Sequence, residues 1–141
     1  PLGRTMIAAI LMKEAIFQRL LEGHATDTYA WVPFSTLCNR LFDKANGSSS
    51  YDDEISMYEE VDWLVVDGIQ VGKLNDAGRQ FRSNVLEKLF GERMDKNLPN
   101  ILVFQDDISQ FDDLSQDFGP TINSIINSRK TFRVAMVEKK K

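Results

Sequence analysis

The run Ile101-Leu102-Val103-Phe104 offers no polar side to water, and a continuous apolar run of this length belongs in a buried strand. No other stretch constrains the fold as tightly. Phe132 to Val137 reads as a second strand, with Thr121 to Lys130, after Gly119-Pro120, as a helix between the two. The cover for these strands has to come from helical patterns upstream. Residues 5 to 22 have helix-forming composition. Their Ile7, Ile10, Leu11, Ala15, Phe17, Leu20 and Leu21 span more than one stripe, as in a helix wrapped by neighbours or by a partner chain. Gly23 stops this helix, and Thr26 to Tyr29 is turn-like.

Pro33 can open a second helix, in which Phe34, Leu37, Cys38, Leu41 and Phe42 recur at helical spacing. Asn46-Gly47 followed by three serines is the clearest loop. Asp52 or Asp53 then starts a third helix running to about Val66, with Ile55, Tyr58, Val61, Leu64 and Val65 inward and its acids outward. Asp67-Gly68 breaks that pattern, Ile69-Gln70-Val71 alternates like a short strand, and Gly72-Lys73 turns the chain back. Asn75 or Asp76 caps a fourth helix from about Ala77 to Met94, with Phe81, Val85, Leu86, Leu89 and Phe90 apolar.

The expected fold is α+β. A helical half with a short wing covers residues 4–96, a strand-helix-strand half covers 97–138 and shares its core, and residues 139–141 form a basic tail. Pro1-Leu2-Gly3 looks like the remnant of a cleaved tag and is set aside. At 141 residues the chain has the commonest size for one domain, and 43% hydrophobic with 27% charged residues excludes the disordered class.

Three helices, a short strand, a turn and then Leu74-Asn75-Asp76-Ala77-Gly78-Arg79-Gln80-Phe81 resemble the winged-helix superfamily of helix-turn-helix proteins over about residues 5–95. The resemblance implies a wing leading into a dimerisation helix, and a third helix that enters the DNA major groove. Asn75 stands where the family usually has Thr, and the wing is brief. The stretch from Asp52 to Asp67 carries seven acids and no base, which duplex phosphates would repel.

Net charge is −4, and the acid is front-loaded. Bases gather later, at Arg79, Arg82, Lys88, Arg93 and Lys96 and at Arg129, Lys130 and Arg133. Of these, Arg79, Arg82, Arg129, Lys130 and Arg133 are the nucleic-acid-binding candidates. Asp52, Asp53, Glu59, Glu60, Asp62 and Trp63 are candidates for docking a basic partner, although acids on an outer helix face are ordinarily just solvated. Trp31 and Trp63 read as half-buried anchors. Asp106 and Asp107 at a strand end, with Glu138 and Lys140, resemble a magnesium-dependent nuclease pattern. Their simpler explanation is a strand leaving its sheet and a frayed tail. No Gly-x-x-x-x-Gly-Lys-Ser/Thr loop accompanies the acid pair.

The lone Cys38 reads as a buried small hydrophobe, and His24 faces the end of the first helix. The apolar stretch Met6 to Met12 is too short to span a bilayer. These features point to a non-enzymatic interaction module without cofactor or membrane partner, cytoplasmic or nuclear, acting as a homodimer or complex subunit. Its first and fourth helices would supply the apolar contact, with DNA approached through the basic C-terminal half. The alternatives are a protein-binding adaptor or inhibitor acting through an acidic helix face, which could imitate nucleic acid, and an Mg²⁺-dependent nuclease.

Overall fold

The computed structural model describes residues 2–24, 26–72, 74–111, 113–128 and Thr131. In chain order the elements are α1 (Leu2–Leu21), β1 (Tyr29–Pro33), α2 (Phe34–Ala45), α3 (Asp52–Glu60), β2 (Trp63–Ile69), α4 (Asp76–Asp95), β3 (Asn100–Phe104), a 3-10 turn at Ile108–Gln110, α5 (Ser115–Phe118) and α6 (Pro120–Asn127). Helices and strands share one hydrophobic core, so the fold is α+β, as the sequence indicates. The strands form a parallel sheet in the order β1-β2-β3. Parallel neighbours need a crossover, made first by α2 and α3 and then by α4. Both crossovers step the same way across the sheet. Such connections are almost always right-handed, so their helices fall on one face.

On that face Val32, Leu64 and Val66 meet Leu37 and Leu41 of α2, Ile55 of α3, and Leu86, Leu89 and Phe90 of α4, all buried in one cluster. Each such side chain contributes about 1.5–3 kcal/mol by leaving water. Strand alternation turns Tyr29, Trp31, Trp63, Val65, Ile101 and Val103 to the opposite, outer face. There α1 buries Ala8 and Met12. At its start, Arg4 Nη1 donates to the carbonyl of Phe104 at 2.9 Å and also to that of Gln105, and the Thr5 hydroxyl donates to Asp67 at 3.1 Å. At its other end, Arg19 Nε donates to Asp27 at 2.6 Å.

The structure corrects several sequence expectations. The first helix runs Leu2–Leu21 rather than over residues 5 to 22. The turn expected at Thr26 to Tyr29 leads straight into β1, which precedes α2 without a gap. The third helix ends at Glu60 rather than near Val66, because Val61 is extended and Trp63-Leu64-Val65-Val66 is a second continuous apolar run, buried as the central strand. Ile55, Tyr58 and Val61 happen to match a helical period that Leu64 and Val65 extend, and that coincidence hides the strand. Gly68, at φ +76°, makes a bulge in β2 where its register with β3 shifts between Val66 and Ile69. Ile69 therefore closes a parallel strand, and Ile69 to Gly72 form no antiparallel wing such as the winged-helix resemblance implies; Lys73 lies outside the described residues. The last helix runs Pro120–Asn127 rather than to Lys130, and the strand expected at Phe132 to Val137 lies outside the described residues.

The expectations for α4 hold, and α2 forms where its apolar spacing places it, but Pro33 closes β1 and sits before the helix instead of in its first turn. The Asn75 side chain caps α4 by accepting from the Gly78 amide at 2.8 Å. Phe81 is the exception in α4: it is exposed and leans on Phe42 with ring centroids 5.0 Å apart.

Two contacts invisible in the sequence fix the helices. Arg93, 0% exposed, donates from Nη1 to the carbonyls of Tyr58 and Val61 at 2.9 and 2.7 Å, from Nη2 to that of Pro99 at 2.8 Å, and from Nε to Asn100 Oδ1 at 2.6 Å. Glu87 of α4 caps α6, accepting from the amide of Thr121 at 2.8 Å and from its hydroxyl at 2.5 Å. Gly119 sits just before this cap at φ +92°, where a Cβ would lie 2.7 Å from Glu87 Oε2 and 3.2 Å from the Ser83 carbonyl.

Gly119→Ala therefore combines a strained backbone with a clash against the cap, and should cost about 2 kcal/mol or more in urea unfolding. Arg93→Met leaves several buried carbonyls without a donor and should cost about 3 kcal/mol or more. Arg93→Lys should recover little, because an ammonium cannot reach four acceptors arranged for a planar fork. A loss below about 1 kcal/mol in Arg93→Met would show that water replaces the guanidinium.

Candidate interaction surface

Of the basic candidates, the two among the described residues, Arg79 and Arg82, converge on one carboxylate, that of Asp117. Arg82 is buried, with Nη2 donating to Asp117 Oδ1 at 3.2 Å, Nε donating to the Asp117 carbonyl at 3.1 Å, and its guanidinium 5.0 Å from the Phe118 ring centroid. Burial holds the Arg82 pKa below the usual arginine value. Arg79 joins the same carboxylate, its Nε 3.2 Å from Asp117 Oδ1. Arg82 is thus an internal strut between α4 and α5 rather than a phosphate contact. The signal was in the sequence: Leu86 and Leu89, four and seven residues on, place Arg82 on the apolar face of α4, but it was read by its charge. Arg129, Lys130 and Arg133 lie outside the described residues.

The acidic candidates divide. Asp52 and Asp53 are exposed in the first turn of α3, where the helix dipole favours acids, and Glu60 is exposed at its end, with Glu59 half-buried beside it. Asp62 has structural work instead: its Oδ2 accepts from the Thr28 amide at 2.7 Å and from the Thr28 hydroxyl at 3.0 Å, lacing the entry of β2 to that of β1. Glu54 is drawn inward by Arg40 and the Tyr58 hydroxyl.

The carboxylates at the end of β3 are likewise engaged. Asp106 accepts from the Val71 amide at 2.7 Å. Asp107 accepts from the Ser109 hydroxyl at 2.6 Å and its amide at 3.1 Å, bonds that hold its carboxyl below the usual range. Among the described residues no group of three or more His, Cys, Asp or Glu is placed to hold a metal ion, and Glu138 lies outside them. Cys38 is buried, and that burial pushes its thiol up to about 12, which agrees with a packing role. Exposed His24 follows the end of α1.

What the structure does assemble is apolar, and it lies on the outer side of the sheet. A three-stranded sheet is about 14 Å wide and, among the described residues, α1 alone covers this face, so the β1 side stays open. Trp31 remains 40% exposed there, beside half-buried Tyr29 and Trp63. The Thr28 carbonyl accepts the Trp63 amide, so the backbone groups of Tyr29 and Trp31 point away from β2 along a free edge. On α1 itself Met6, Ile10, Phe17, Leu20 and Leu21 are each between 51% and 68% exposed. Trp63, a sequence candidate, belongs to this surface; Trp31 and the α1 residues complete it. Their signal was present in the sequence as the many-sided apolar pattern of the first helix. Among the described residues no helix is long and apolar enough to cross a membrane.

Asp62→Asn should destabilise the protein by about 1 kcal/mol by weakening its bonds to Thr28, whereas Glu60→Gln should stay within about 0.5 kcal/mol. Parallel thermal melts compare them. Cys38 should resist alkylation until the protein unfolds. Its folded pKa of about 12 lies above the ordinary 9.0, so the stability it lends is complete below pH 9 and should fall as pH rises toward 12. Rapid native labelling at neutral pH would contradict the burial. Compared with known protein families, curated proteins and solved structures, the chain has no match.

Proposed function

We propose that this protein is a non-enzymatic interaction module that binds another polypeptide through the outer side of its sheet. The observation that carries this reading is the exposed apolar residues on this side of the fold, Trp31 on the edge strand and Met6, Ile10, Phe17, Leu20 and Leu21 on α1, left uncovered among the described residues because the crossover helices lie on the other face. Parallel sheets are ordinarily covered on both faces, and large exposed apolar patches on soluble domains mark contact sites. The engagement of Arg82, Asp62, Asp106 and Asp107 in local structure supports placing the interaction here rather than on a charged face.

A photo-reactive phenylalanine analogue at Trp31, in the full chain expressed in its cell of origin, should form covalent adducts with polypeptide on irradiation. The same probe at exposed Lys88 on α4 should give only background. Equal yields from the two positions, or none from Trp31, would overturn the proposal. Trp31→Ser should lose partner binding while the protein stays folded, at a cost of about 1–2 kcal/mol for the part of the ring that is covered.

A further inference from the structure

We infer that the solvent-facing stripe of α1 pairs with the same stripe of a second copy of this chain, antiparallel about a two-fold axis. This names a partner for the α1 part of the surface proposed above, not for Trp31, and rests on that reading. At 100° per residue, Met6, Ile10 and Phe17 fall within about 40° of one another, on the opposite side of α1 from Ala8 and Met12, which are buried against the sheet. Among the described residues these side chains stay exposed, so the stripe is spare.

Its sequence is symmetric about the junction of Lys13 and Glu14. Counting outward from that point, Ile10 matches Phe17 and Met6 matches Leu21. A two-fold interface is made of one surface meeting itself, so that residue i touches j and j touches i. Antiparallel pairing in this register sets Ile10 against Phe17 and Met6 against Leu21 of the second copy. It also sets Lys13 against Glu14 of the second copy, once on each side of the axis. Parallel pairing would instead oppose Lys13 to Lys13 and Glu14 to Glu14. A shallow groove lined by Lys13, Glu14, Ile16, Phe17 and Leu20 runs along the stripe and can receive a facing side chain. The half-exposed apolar side chains offer on the order of 600 Å² per copy, or about 1,200 Å² for the pair, which reaches the lower limit of a specific interface.

Light scattering on the full chain should give about twice its 16.1 kDa. Mixing Ile10→Cys protein with Phe17→Cys protein under mild oxidation should yield the mixed disulfide in preference to either homodimer, with buried Cys38 taking no part. Lys13→Glu should raise the dissociation constant about tenfold by turning two attractions into two repulsions, and Lys13→Glu with Glu14→Lys should restore it. Because these side chains are exposed, thermal melts of dilute monomer should match the parent protein.

A monomeric mass throughout would overturn self-pairing, as would a disulfide joining two Ile10→Cys chains in preference to the mixed one, or a charge swap that fails to rescue. Binding of the monomer to lipid vesicles through this stripe would overturn it too. If the chain stays monomeric while the probe at Trp31 still captures another polypeptide, self-pairing falls and the broader interaction reading stands. If both fail, the broader reading falls with it.

Discussion

A single buried cation organises the joint on which this fold turns. Arg93 lies in the last turn of α4, and its guanidinium reaches the end of α3 through Tyr58 and Val61 and the start of β3 through Pro99 and Asn100. Among the described residues none of its hydrogen-bond partners is a carboxylate. Burial lowers its pKa to about 10, so the charge is tolerated only because carbonyl dipoles replace the water it has lost. The same bonds cap the orphan carbonyls where α3 stops, the point at which the chain turns from helix into the central strand. One residue thereby sets the end of one crossover and the entry of the next.

The path of the chain then determines what is left exposed. With two crossovers stepping the same way, α2, α3 and α4 crowd onto one face, and α5 and α6 pack on α4 through Asp117, Arg82 and the Glu87 cap. Among the described residues the opposite face has only α1, tied at its ends by Arg4, Thr5 and Arg19. A doubly wound sheet would send a crossover helix to each side. Here the outer face keeps an uncovered tryptophan and a helix that is apolar on both sides, and the interaction surface follows from that topology.

Legibility in the sequence tracked how local each cause was. The existence of β3, the cap at Asn75, the apolar spacing of α2 and the many-sided apolar pattern of α1 depend on neighbours within a turn or two, and each could be read directly, although β3, expected to be buried, is an edge strand in which only Val103 is buried. The central strand could not, because Ile55 to Val65 fits a helical period as well as it fits a helix followed by a strand. What decides between them is distant: Thr28 binding Asp62, and Arg93 binding Val61. The wing was lost with that strand. Arg82 was read by its charge, although Leu86 and Leu89, four and seven residues on, share its helix face, and it turns toward two aromatic rings.

The fate of the charges also bears on what can approach the molecule. Arg19, Arg40, Arg79 and Arg82 are paired with Asp27, Glu54 and Asp117, while Asp52, Asp53 and Glu60 face solvent, so the described surface around α3 is acidic without a compensating basic patch. Two copies each carrying a net −4 repel weakly at a distance, and that repulsion shrinks within a Debye length of about 8 Å at physiological salt. The α1 stripe is the exception, apolar along its length with one Lys and one Glu at its midpoint. Approach there meets no net opposing charge. In the proposed pairing, burial of apolar area would supply the attraction and the Lys13 and Glu14 pair the direction, so the surface would select a partner that is as apolar and as locally neutral as itself.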